Sequence, residues 1–494
     1  MHPFRKFAKQ FSHFFGGSIA VQLFSFITFP IFTRVLTKEQ YGILGLITTI
    51  MFFGVAIAKA GLSDGIIRFY QEYSKDPEKK SEFASTVLSR GFVLSVFTSL
   101  AYVLLFLIFQ NHLEISKGYA ACFIIMALSL FIGPLNIIVF RFLRVNDKTV
   151  FINVMDIVGR SLSVGLSLIF LIYVFRGFYG YFIGVVTAEI IVAVILFYWF
   201  FKNYKIIPSS ISGEIHLKLI KFGVPLFLSE LAFLLESYSD RFLVVGFLGQ
   251  EALGTYTVGQ SIAMYIGNIV IFSFSGAMVP ICVQIYGEEG REKTEIFMKK
   301  CLKYLWMAII PMWFGYVAVS KELFIIIASE KYAMAATFSP LILLAWFIGT
   351  LNVLFGASFY LKKKTMLQFV IDFSSILINI GMNLILIKRL ELMGAGISAV
   401  VSSTVSAILM IVVSRRYFKI EFEVGSILYY IGVSCLMFLV VTQINTGVIW
   451  MNLSLKMITG TVLVALAILL KESEIRENLK KVIHGGSDKG LQLG

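Results

Sequence analysis

The sequence predicts an all-α polytopic membrane protein with about 14 transmembrane helices, arranged as two pseudo-symmetric six-helix bundles followed by two C-terminal helices. Three observations predict it. Of 494 residues, 58% are hydrophobic and the mean hydropathy is +0.85, far above a soluble domain. Apolar runs of about 20 residues, each able to cross the roughly 30 Å hydrocarbon layer, recur between residues 11 and 470 with short polar breaks. Basic residues alternate in density from break to break. With the N-terminus inside, roughly 31 Lys and Arg fall in inner loops and tails, roughly 8 outside and about 4 within helices. This placement accounts for the formal charge of +14 without nucleic acid and puts both termini in the cytoplasm.

The boundaries follow from the runs. Residues 1–205 form the first bundle, 206–424 the second, 425–470 two additional spans, and 471–494 a cytoplasmic tail. Phe4, Phe7, Phe11 and Phe14 share a helical face apart from Arg5, Lys6 and Lys9, the pattern of an interfacial helix and equally of a basic flank. Span one, Phe11 to Thr33, lacks a small-residue cleavage site and reads as an uncleaved helix with Ser18, Gln22, Ser25 and Thr28 at helical spacing. Span two ends in GLSDGIIRFYQEY, where Asp64 and Arg68 lie one turn apart. Spans three and four are the least polar, with Pro134 and Asn136 as exceptions, and read as packing elements. In span five, Asn153, Asp156, Arg160, Ser163 and Ser167 recur every three or four residues as one polar stripe. Arg160 falls about 15 Å into the layer at 1.5 Å per residue. Span six carries Glu189.

The second bundle opens on KFGVPLFLSELAFLLESYSDRFLVVGFLGQEALGTY, with Glu230, Glu236, Asp240 and Arg241 in a stretch long enough to cross a bilayer. Charges at that depth need a partner or a water-filled cavity. Later spans offer Gln260, Met264 and Asn268 on one face, then Gln368, Asp372, Ser375, Asn379 and Asn383 on another. The last three spans are nearly apolar apart from Lys456, which has no obvious partner. Beyond Leu470, Ile475, Leu479, Val482 and Ile483 recur at helical spacing among charges, as in a surface helix. The first-helix exits of the two halves resemble each other, and six spans per half make a parallel repeat about the membrane normal, as in rocking transporters.

Arg160 and Arg241 are the leading candidates for a substrate anion, because a guanidinium at depth suits a phosphate or diphosphate. A structural ion pair is the competing reading for each. Arg34 and Arg68 lie nearer the interfaces, and Lys59 reads as a snorkelling residue. Asp156, Glu189, Glu236, Asp240 and Asp372 are candidates for ion coupling, or else hydrogen-bonded structural carboxyls. Cys122, Cys282, Cys301 and Cys435 stand singly, without metal or disulfide spacing. No catalytic or nucleotide motif is present, so the expectation is a transporter without cofactor rather than an enzyme.

The exits TRVLTKEQYG and GLSDGIIRFY, the mid-chain stretch above, and NIGMNLILIKRLELMGAGISAVVS resemble the polysaccharide transport family across about residues 10 to 420. This is the Wzx-type oligosaccharide-lipid flippase branch of the superfamily that also holds multidrug and toxin extrusion proteins. The resemblance implies movement of a polyprenyl-diphosphate-linked oligosaccharide across the cytoplasmic (inner) membrane for O-antigen, capsule or exopolysaccharide. It implies membrane lipid as a partner and a polysaccharide polymerase and chain-length regulator as neighbours, with a cationic cavity of Arg34, Arg68, Arg160 and Arg241. Arg160 rests on the residue pattern alone. A drug or organic-cation antiporter of the same superfamily and a membrane glycan polymerase are the alternatives.

Overall fold

The structure, a computed structural model, describes residues 27–109, 117–473 and 476–477. The expected interfacial helix, most of span one and the amphipathic tail lie outside these residues. Helix α1 covers residues 27–35 and is followed by α2 (Lys38–Lys59), α3 (Leu62–Tyr73), α4 (Pro77–Phe109), α5 (Ala120–Val145), α6 (Thr149–Ile169) and α7 (Phe178–Asn203). Then come α8 (Gly213–Glu288), α9 (Gly290–Ile327), α10 (Ala335–Leu361), α11 (Thr365–Ser414), α12 (Val424–Thr442) and α13 (Ile449–Lys471). Among the described residues there is no strand, and 11 helical segments are long and apolar enough to cross a membrane. The chain is a multi-pass, all-α membrane protein.

Two of those segments are double length. A straight helix of 76 residues would run about 114 Å at 1.5 Å per residue, far beyond one bilayer. Helix α8 is instead broken at Gly249, whose φ of 83° and ψ of −175° lie outside the helical region, and the 50-residue α11 breaks at Glu391. Each therefore supplies two passes.

Contacts gather the chain into two units. The N-terminal unit is Leu36–Thr257 with Ile380–Glu391, and the C-terminal unit is Val258–Asn379 with the described parts of Met1–Val35 and Leu392–Gly494. In the N-terminal unit, Leu62, Ile66, Phe83, Phe142, Phe200 and Leu219 share one core from α3, α4, α5, α7 and α8. Aromatic hydroxyls close its end: Tyr70 Oη lies 2.8 Å from Tyr204 Oη, and Asn146 Nδ2 donates to Tyr204 Oη at 2.7 Å. In the C-terminal unit α9 packs on α10, α12 and α13. Trp313 Nε1 donates to the Pro340 carbonyl at 2.8 Å, and at its far end Glu472 accepts from Lys303 at 2.7 Å and from Tyr430 at 2.9 Å.

The two exits that resemble each other in sequence meet in the N-terminal unit. Thr37 starts α2 through a capping box, with Gln40 N–H donating to Thr37 Oγ1 at 3.2 Å and Gln40 Oε1 accepting from Thr37 N–H at 3.0 Å. One turn on, a Cβ added to Gly42 would strike the Gln250 backbone, and one on Gly254 would strike that of Lys38. At the other end of α2 the helix breaks through Ala60 (φ 40°) and Gly61 (φ 74°), where Gly61 and Gly223 of α8 touch backbone to backbone. Small residues let membrane helices approach this closely.

Gly61→Ala combines a positive φ with that backbone contact and should destabilise the fold by about 2 kcal/mol or more. Gly213→Ala, with open space around it, should be near neutral. Thermal unfolding of the two purified variants, followed by size-exclusion chromatography, separates them; equal midpoints would refute the close contact.

Candidate functional site

The polar residues of the mid-chain stretch form a seam between α8 and α2. Arg241 is only 5% exposed and donates to the Gly45 carbonyl at 3.3 Å and Thr49 Oγ1 at 3.2 Å, with its guanidinium carbon 4.9 Å from the Tyr238 ring centre. Its neighbour Asp240, 8% exposed, accepts a short hydrogen bond from Tyr256 through Oδ2, and its Oδ1 is buried without a hydrogen-bond partner. Phe52 packs on Tyr238 at 5.1 Å and Phe53 on Phe242 at 6.1 Å. Further along, Lys59 pairs with Glu230 at 2.7 Å. This corrects the snorkelling expectation: the ammonium is held by a carboxylate 171 positions away in sequence, which no local spacing reveals.

Asp64 pairs with Arg141 at 3.6 Å rather than with Arg68, because α3 packs its Asp64 side against α5. Arg68 is exposed, 5.5 Å from the Phe69 ring centre. Glu236 is exposed on α8.

The stripe on α6 divides. Asn153, Asp156 and Arg160 are exposed, while Ser167 is buried and donates to the Tyr181 carbonyl at 3.0 Å where Gly184 of α7 lets the helices touch. Among the described residues Asp156 and Arg160 form no ion pair, although they stand one turn apart. On α7, Glu189 faces the Ser129 hydroxyl of α5, and its Oε2 is buried without a partner. Asn136, 7% exposed, donates to the Glu189 carbonyl at 3.3 Å and keeps a second unpartnered oxygen beside it. The reading of spans three and four as mainly packing, with Asn136 an exception, therefore omits only the Ser129 contact with Glu189.

In the C-terminal unit Arg34 folds over the end of α9, donating to Ile326 O at 2.5 Å and Ile327 O at 3.2 Å as well as to Pro30 O at 3.0 Å. A cation there meets the carbonyls and negative dipole of a helix C-terminus. Helix α11 turns its polar residues inward: Ser375 Oγ donates to Ser402 O at 3.1 Å and Asn379 Nδ2 to Ser402 Oγ at 3.2 Å, with Asp372 partly buried one turn earlier. On α9, α12 and α13 of the same unit lies an apolar groove of about 670 Å³ lined by residues including Met307, Pro311, Gly315, Met437, Gly460 and Val464. Lys456 stands in its wall, 8% exposed and ion-paired with Glu322. The lysine thus has a partner after all. Glu322 and Tyr256 are the functional-site neighbours that sequence reading passed over; both were visible as polar groups inside apolar runs.

Residues 7–286 match the polysaccharide biosynthesis protein family, and residues 225–385 match the MatE family. The succinoglycan biosynthesis transport protein ExoT of Rhizobium meliloti (strain 1021) is 21% identical over 321 residues, covering 63% of this chain and 60% of that protein's length. Among solved structures, the lipid II flippase MurJ in an inward closed conformation superposes with a TM-score of 0.75 at 15% identity, covering 95% of this chain and 99% of that one. An inward-facing multidrug resistance MATE family transporter of the MOP superfamily gives 0.66 at 18% identity, covering 80% and 94%. The fold is the one these transporters share.

The two deep arginines should behave differently. Arg241→Ala strands buried acceptors and should cost about 3 kcal/mol or more in stability, whereas Arg160→Ala should leave the thermal midpoint of the purified protein unchanged. A matching drop in both would remove the distinction between a structural and an available guanidinium.

Proposed function

Because the chain belongs to the polysaccharide biosynthesis protein family, we propose that it is a flippase carrying a polyprenyl-diphosphate-linked oligosaccharide across the cytoplasmic membrane for surface polysaccharide synthesis. The observation that carries this reading is the apolar groove with Lys456 in its wall. Its volume, about 670 Å³, is in the range that encloses a ligand, and its lining suits a long hydrocarbon chain rather than a sugar. The diphosphate of such a substrate calls separately for guanidinium groups. Arg160 is the foremost of these in our reading, since its side chain is exposed and unpaired among the described residues. Arg34, Arg68 and Arg241 complete the basic set, with Arg241 also bracing the helix pair.

The chain carries no nucleotide-binding motif, so transport in this reading is driven by an ion or substrate gradient through alternating access. Glu189 and Asp372, partly buried carboxyls, are the first candidates for coupling, and Asp156, Glu236 and Asp240 the second. Orientation with both termini in the cytoplasm is the arrangement favoured by the basic loops.

Reconstituted into liposomes, the wild type should translocate a polyprenyl-diphosphate oligosaccharide. Gly315→Trp, which fills the groove, and Arg160→Ala should each slow translocation about tenfold or more, a loss of about 1.4 kcal/mol in the transport barrier, at unchanged folding. A wild type that ignores this lipid and exports organic cations would overturn the substrate and favour the antiporter reading.

A further inference from the structure

Two hydrogen bonds fasten the segment before α8 onto α4. Ile207 N–H donates to Ser85 Oγ at 2.9 Å, and Ser212 N–H donates to Thr86 Oγ1 at 2.9 Å. Both hydroxyl residues are fully buried. Four residues beyond this anchor on each helix come Arg90 and His216, on the same faces as Thr86 and Ser212. The anchor therefore brings a guanidinium and an imidazole to one place. Arg90 Nε and His216 Nδ1 are both buried and without hydrogen-bond partners, and the charge of Arg90 acts on the His216 ring.

Nothing among the described residues balances that charge. Helix α4 has no Asp or Glu after Glu82, about 12 Å away along the axis, and α5, its main neighbour, has none at all. On α3, Asp64 is taken by Arg141 at 3.6 Å and Glu72 by Lys218 at 2.5 Å. Glu189 of α7 faces Ser129, and Glu214 of α8 is exposed. Two nitrogen-bearing side chains set together without a carboxylate favour an anion from outside the chain. A guanidinium fork and an imidazole N–H suit phosphate oxygens.

Depth points the same way. Both α4 and α8 start at the end of the unit that bears Lys79, Lys80 and Lys205, and helical side chains lean toward the helix N-terminus. Arg90 lies only about 5 Å into the apolar run that starts near Val87, at 1.5 Å per residue. A long side chain leaning back from that level reaches the plane of lipid phosphates.

We propose that Arg90 and His216 form a binding site for a phosphate group at the basic rim of the N-terminal unit, taking the headgroup phosphate of an anionic lipid. The site stands independently of the transport reading. It takes a phosphate whose negative charge is not already balanced by a cation within the same headgroup.

The full-length protein in nanodiscs of phosphatidylcholine, with or without phosphatidylglycerol, tests this by native mass spectrometry and thermal unfolding, with inorganic phosphate in a separate arm. Phosphatidylglycerol should remain bound and raise the wild-type midpoint. Arg90→Gln and His216→Gln should each weaken its retention about tenfold, while Lys79→Gln should not. Displacement by millimolar inorganic phosphate would support a site that also takes the free anion; no displacement would support the lipid source. Should Arg90→Gln fail to fold, Arg90→Lys and His216→Gln carry the comparison. Equal retention of both lipids by the wild type, or a loss shared equally by Lys79→Gln, would overturn the site.

Discussion

The contact between α2 and α8 is the constraint on which the N-terminal unit depends. In hydrocarbon a helix pair gains little from burying apolar surface, so close approach and internal hydrogen bonds must hold it. Along this pair the contacts run antiparallel and without a gap. Gly42 meets Gly254, Arg241 reaches Gly45 and Thr49, Phe52 covers Tyr238, Lys59 pairs with Glu230, and Gly61 meets Gly223. The glycines at the two ends set the spacing at which the arginine can reach a main-chain carbonyl. A larger residue at either end would leave that guanidinium short of its acceptors.

Charges at membrane depth thus fall into two kinds. Arg34, Lys59, Arg241 and Lys456 are matched by carbonyls, hydroxyls or carboxylates of the same unit, and the several kcal/mol that an isolated buried charge costs is offset locally. Arg160 and Arg90 have no such match among the described residues. Chemistry that involves an outside anion belongs with the second kind, since a guanidinium already holding protein oxygens, three of them at Arg34, would have to release them first. The partly buried carboxyls follow the same division: Glu230 and Glu322 hold lysines, whereas Glu189 keeps one oxygen without a hydrogen.

Span positions and the all-α class were legible because they depend on length and apolar content, which are local. The polar spacing along α6 was legible for the same reason, as a periodicity within one helix, but its division into exposed Asn153, Asp156 and Arg160 and buried Ser167 was not. Partners were not. Lys59 with Glu230, Lys456 with Glu322 and Arg34 with the end of α9 each join residues more than a hundred positions apart, and a single sequence carries no trace of such pairing. Arg90 was hidden differently: it sits at the start of an apolar run, where an arginine reads as a boundary residue until the segment anchored at Thr86 puts an imidazole opposite it. The capping role of Arg34 could have been suspected only with knowledge of where α9 ends.

The break in α8 has a consequence for how the molecule meets its surroundings. One non-helical residue, Gly249, separates two long helical arms, with no loop between them. At this one connection the chain offers a protease no extended segment to cleave and an antibody little to grip.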